Sequence, residues 1–118
     1  MLRTIRHDNI DYVNPAIFSF TDAARREIYR LRSAFPDKFI VIGWGYGVSV
    51  HTQEGRVLEE LGDRIMVALG GQDDEPLEPL LAASVGGQDL ELAIPADVTA
   101  SETPIIDTDA RGRLMLRR

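Results

Sequence analysis

Asp107 and Asp109 stand two residues apart, and His51 and Glu54 three apart. Imidazole and carboxylate together suit zinc or iron, so His51, Glu54 and one of Asp107 or Asp109 form the candidate metal set. The two aspartates would share one face of a strand that continued to 109, and paired carboxylates can split their pKa values for acid–base work. A competing reading places both beside a tight turn, Asp109-Ala110-Arg111-Gly112, where an aspartate bonds its own backbone. His51 then becomes an exposed residue with no ligand role. The other histidine, His7, lies beside Asp8. Neither histidine belongs to an H-E-x-x-H or H-x-x-x-H pattern, so spacing adds no support for a metal.

A second candidate is aromatic. Trp44 and Tyr46 alternate with Gly43, Gly45 and Gly47. Glycine at every second place strips the side chains from one strand face and implies a tight bend, a bulge, or a surface that another backbone or ligand approaches closely. The aromatics on the opposite face could stack on a flat ligand or anchor a partner; alternatively, they fill the core. This run is not a phosphate loop, because it lacks G-x-G-x-x-G and a following Lys-Ser/Thr and leads into a strand.

Other chemistries are excluded or unsupported. The chain has no cysteine, which removes disulfides, thiolate nucleophiles and cysteine-ligated clusters. No G-x-S-x-G surrounds a serine. Asp73, Asp74 and Glu75 lack the glycine and twelfth-position glutamate of a calcium loop and read as a solvated acidic loop. No cofactor is expected.

The elements that must position these residues are organised around Phe20–Gly47. Thr21 is placed to cap a helix, with Asp22 in the first turn facing the positive end of the helix dipole. Ala24, Ile28, Leu31 and Phe35 form an apolar stripe at helical spacing, while Arg25, Arg26, Arg30 and Arg32 lie off it and should face water. Pro36 ends regular helix near Ser33 or Ala34. Phe39 to Ile42 is apolar at every position, which predicts a strand buried on both faces or central in its sheet. Before this core, residues 1–16 read as a loosely ordered arm and Ile17 to Phe20 as a short strand. After it, Val48–Thr52, Arg64–Leu69 and Leu90–Ile94 read as strands, with a turn at Gln53-Glu54-Gly55. Val57–Leu61 could be a helical turn or an irregular edge. Leu77–Ser84 reads as a short helix ended by Gly86-Gly87, and residues 104–117 as a C-terminal hairpin. The fold class is therefore α+β: a mainly antiparallel or mixed sheet packed by an N-terminal amphipathic helix, with residues 17–118 as a single domain.

A length of 118 residues fits one domain. The net charge of −6 argues against nucleic acid, which needs clustered Lys and Arg. No apolar run approaches the roughly 20 residues that span a bilayer, and the early charges of MLRTIRHDNIDY do not suit a secretory signal. A cytoplasmic protein is the expectation. Basic residues gather in the helix and at Arg111, Arg113, Arg117 and Arg118, around an acidic middle, which permits head-to-tail pairing of copies.

The order of Phe18-Ser19-Phe20-Thr21-Asp22-Ala23-Ala24, a helix, Phe39-Ile40-Val41-Ile42-Gly43 and a glycine-rich turn resembles the A-type iron–sulfur carriers, the HesB/IscA-like family. Arg64–Leu69, Leu80–Ser84, Gly86-Gly87 and Asp89–Leu92 are similar to its later strand, short helical turn and glycine-led strand, so the resemblance covers about residues 17–94. That family holds its cluster or iron with a cysteine after the glycine-rich turn and a C-x-C pair near the C-terminus. Here the first place falls in Gly45–Ser49 and the second is the hairpin, and neither holds a thiolate. The resemblance implies the scaffold without its chemistry, and no functional residue is carried over. The expected function is a non-enzymatic binding or assembly protein that meets a protein partner or a second copy of itself. The alternative is a small metal-dependent or acid–base enzyme using His51 and nearby carboxylates.

Overall fold

The computed structural model describes residues 3–50, 57–71, 81–99 and 101–117. Among the described residues the element order is β1 (Thr4–His7), β2 (Ile10–Val13), a 3-10 turn (Pro15–Ile17), β3 (Ser19–Phe20), α1 (Asp22–Ala34), β4 (Phe39–Val50), β5 (Val57–Gly70), β6 (Ala82–Val85), β7 (Gln88–Leu92), a further 3-10 turn (Ala96–Val98), β8 (Ile105–Thr108) and β9 (Leu114–Arg117). This is an α+β fold.

Helix α1 begins where its cap chemistry dictates. The Thr21 hydroxyl accepts a hydrogen bond from the Ala24 amide at 3.1 Å, satisfying one of the orphan N–H groups of the first turn. Ala24 and Ile28 are fully buried, Leu31 is half-buried against the core, and Phe35 caps the other end partly in solvent. Arg32 departs from the expected water-facing role. Its guanidinium donates to the carbonyls of Lys38 at 2.7 Å and Asp89 at 2.8 Å, tying the helix's last turn to the turn before β4 and to β7.

Strand β4 is central in the four-stranded sheet, ordered β5-β4-β7-β6, antiparallel to β5 and parallel to β7. Burial alternates along it all the same: Ile40 and Ile42 are fully buried, and Phe39 and Val41 half-buried. Opposite residues of a strand pair share a face. Ile40, Ile42 and Trp44 therefore lie with Leu69, Val67 and Ile65, and Leu92 joins them from β7. This face, α1, and the three-stranded sheet β3-β8-β9 enclose the core, which includes Ile65, Leu90, Leu92, Ile106, Leu114 and Leu116.

Several expectations are corrected. The run Gly43–Gly47 is strand and not a turn; of the expected alternatives the bulge is the one that fits, with register shifts between Gly47 and Val48 and between Ser49 and Val50. Of the two readings of Val57–Leu61, the irregular edge holds and the helical turn does not: these residues belong to strand β5, where its register with β4 shifts. Ala82–Ser84 is strand, not helix. Gly86 and Gly87, at φ of 59° and 82°, make the two-residue turn of a β6–β7 hairpin instead of ending a helix; consecutive left-handed residues give the twist that a tight hairpin needs. Residues 72–80 and the turn at 53–55 lie outside the described residues. The N-terminal arm, expected to be loose, contains the β1–β2 hairpin, turned at Asp8 and Asn9 with φ of 51° and 65°. It is fastened to the domain by the Val13 amide donating to the Ile94 carbonyl at 2.9 Å.

Candidate functional site

The hairpin aspartates are held by the fold from every side. On β8, Asp107 Oδ1 accepts the Thr21 hydroxyl at 2.8 Å and the Thr108 amide at 2.8 Å, while Oδ2 pairs with the Arg117 guanidinium. One threonine thus caps α1 with its lone pair and spends its proton on Asp107. These partners, the Thr21 hydroxyl foremost, hold the Asp107 carboxyl below the usual carboxylate range. Asp109 closes the β8–β9 turn: Oδ1 accepts the amides of Arg111 at 2.8 Å and Arg113 at 3.0 Å, and Oδ2 accepts Arg113 Nε at 3.1 Å. Arg64 Nη2 of β5 lies 3.6 Å from the same oxygen. Burial pushes Asp109 upward, but the Arg113 and Arg111 amides and the Arg113 charge outweigh it and hold the carboxyl low. The turn reading accounts for the bonds of Asp109; Asp107 takes only the Thr108 amide locally and is otherwise held by Thr21 and Arg117. These bonds also change the reading of the basic C-terminus, since Arg113 and Arg117 are spent on this hairpin.

His51 and Glu54 lie outside the described residues. Among the described residues no group of three or more His, Asp or Glu side chains is placed to hold a metal ion. His7 Nε2 sits 3.3 Å from Asp8 Oδ2 at the tip of the first hairpin.

The aromatic pair shares a face but not an environment. Trp44 packs against the core, whereas Tyr46, further along β4, is 55% exposed. A shallow groove of about 320 Å³ beside them is lined by Trp44, Ile65, Arg64, Asp109, Leu114 and Leu116. Local crowding does not require glycine at positions 43 and 45. A Cβ at Gly43 would meet the Ala93 carbonyl at 3.7 Å, and one at Gly45 would meet Met66 Cγ at 3.5 Å, both ordinary contacts. Gly47 lies at the register shift. Near this surface, Met66 is 41% and Val67 36% exposed on β5, whose hydrogen-bonded neighbour among the described residues is β4 alone.

One ionisable residue escaped the sequence reading. Glu91 of β7 is only 4% exposed, and its Oε2 is sealed from solvent without a hydrogen-bond partner. Burial pushes its carboxyl above the usual range, with the nearby His7 acting in the opposite direction. The D-L-E-L alternation around it reads as an ordinary half-buried strand with Glu91 outward, and no local signal marks the outer face as covered. Glu91, Ala82 and Asp89 share that face with Val41 and Phe39 by strand register. There they line a cleft of about 530 Å³ that also includes Arg32, Asp37 and Lys38. No family model, curated protein or solved structure matches the chain.

Proposed function

We propose that this protein is a non-enzymatic assembly protein that pairs with a second copy of itself along strand β5, in the cytoplasm and without nucleic acid or membrane. The observation that carries this reading is the exposed apolar run Met66, Val67 and Ala68 on β5, an edge strand among the described residues. Edge strands are ordinarily blunted by Lys, Pro, an inward charge or a covering segment. Residues 65–70, IMVALG, contain no charge and no proline. The pattern is also self-complementary: about a two-fold axis at Val67, Met66 falls opposite Ala68 and Ile65 opposite Leu69. An isologous contact requires such a relation.

The carrier resemblance enters here as scaffold alone: a capped helix over a sheet whose thiolate positions hold none. The hairpin carboxylates of the enzyme alternative, Asp107 and Asp109, accept structural hydrogen bonds. The test is mass by light scattering over a range of concentrations, on the wild-type chain and on Val67→Lys, which places a charge on the edge. A dimer mass that reverts to monomer in V67K supports the reading. A monomeric wild type, or a V67K protein that keeps the dimer mass, overturns it.

A further inference from the structure

We propose that the cleft between the α1–β4 turn and the β6–β7 hairpin binds a small organic cation, a primary ammonium or guanidinium group that donates hydrogen bonds to Glu91. The proposal stands apart from assembly along β5, because the carboxylates it uses lie on the α1–β4 turn and on β7, and of the cleft lining Gly71 alone adjoins the end of β5. The cleft's volume of about 530 Å³ falls within the roughly 300–1,000 Å³ of small-ligand sites.

Three observations select the ligand chemistry. First, Glu91 carries the one buried side-chain oxygen without a hydrogen-bond partner among the described residues. A carboxylate oxygen held this way accepts any N–H that reaches it, at a gain larger than that of a surface acceptor. The terminal torsion of a glutamate is broad and roughly two-fold, so a half-turn about it exchanges the two oxygens. Second, the cleft does not satisfy itself. The Arg32 guanidinium is committed to the Lys38 and Asp89 carbonyls, and Lys38 lines the rim without an ion pair to Glu91. Among the described residues that line it, three carboxylates, Asp37, Asp89 and Glu91, stand with two cations, Arg32 and Lys38, and this lining favours a positive guest. Third, the carboxylates do not converge into a metal-binding group among the described residues. A hard cation such as calcium takes about 6–8 oxygens, whereas an ammonium needs only a few acceptors. His7 of β1 acts on Glu91 in the direction opposite to its burial.

The experiment is an NMR titration of the full chain with putrescine, reading backbone amides and the Glu91 side-chain carboxyl carbon, with tetramethylammonium as a cation that donates no hydrogen bond. The expected result is saturable one-to-one binding of putrescine that moves the Glu91 carboxyl resonance and the amides of Arg32, Lys38 and Asp89. Tetramethylammonium should leave them in place. Glu91→Gln should weaken putrescine about tenfold or more, in line with the loss of a buried charge-assisted bond. Asp89→Asn, an exposed change that spares the core, should weaken it severalfold. Non-saturating shifts, equal shifts with tetramethylammonium, or a Glu91 carboxyl resonance that does not move would overturn the proposal, as would unchanged affinity in a folded E91Q protein. The wild-type carboxyl readout decides the matter whether or not E91Q folds.

Discussion

Asp107 and Glu91 are carboxylates on strands that border one core, yet they are handled in opposite ways. Asp107 sits where the helix cap, its own backbone and an arginine all deliver donors. Glu91 sits where the sheet and its surroundings seal one oxygen and deliver none. A buried acceptor with partners joins elements together, and one without them is a standing cost. The difference lies in the neighbours, not in the side chain. It separates the part of this molecule that explains itself from the part that points outward.

The largest expected effect tests whether the hairpin belongs to the common core. Ile106, fully buried next to Asp107, should cost about 2–5 kcal/mol when changed to alanine, as buried large-to-small substitutions do. Urea unfolding measures this, and a loss below about 1 kcal/mol, typical of peripheral sites, would detach the hairpin from the core. Next is Thr21→Ala, which removes the helix cap and the Asp107 donor together. It should cost about 1 kcal/mol, and the Asp107 carboxyl, followed by NMR titration, should move back up toward the ordinary range. An unchanged Asp107 would mean that the threonine hydroxyl is not its main support.

Acid titration separates the two carboxylate types by sign. Asp107 and Asp109 have native pKa values below their unfolded ones, so their stabilisation is present above the unfolded value of about 3.9 and is lost as pH falls through the native values. Glu91 runs the other way. Its native pKa is raised, so folding is favoured when it is protonated, and stability declines as pH rises from the unfolded value of about 4.3 through the native one. Glu91→Gln should therefore be more stable than wild type by about 1 kcal/mol at neutral pH, with the gain vanishing in acid. Equal stability of the two proteins at all pH values would show that Glu91 bears no such cost. The smallest effect belongs to the glycine face. Gly45→Ala has room for its Cβ and should stabilise the fold by about 0.5–1 kcal/mol through a less flexible unfolded chain; a thermal melt showing destabilisation would reveal a constraint on that face.

Local elements were legible where one short stretch carries the whole cause. Thr21, Asp22 and the 24–28–31 stripe specify α1, and Asp109 with Gly112 specifies the last turn, because capping and turn bonds form within a few residues. The N-terminal hairpin was missed although Asp8-Asn9 carries a signal: both residues tolerate the left-handed region. Ala82–Ser84 was misread because a short apolar run fits a helix or a strand equally, and the β6–β7 pairing decides it.

By itself, then, the sequence determined the α+β class, the helix and its cap, the absence of thiolate chemistry and the turn role of Asp109. Only the tertiary structure decided that Asp107 would meet Thr21 across 86 residues of chain, that Arg32 would clamp β7, and that Glu91 would be sealed on its strand's outer face. The physical reason is range. Capping and turn bonds are fixed by neighbours in sequence, whereas burial of a carboxylate depends on which distant segments cover it, and no window of the chain encodes that alone.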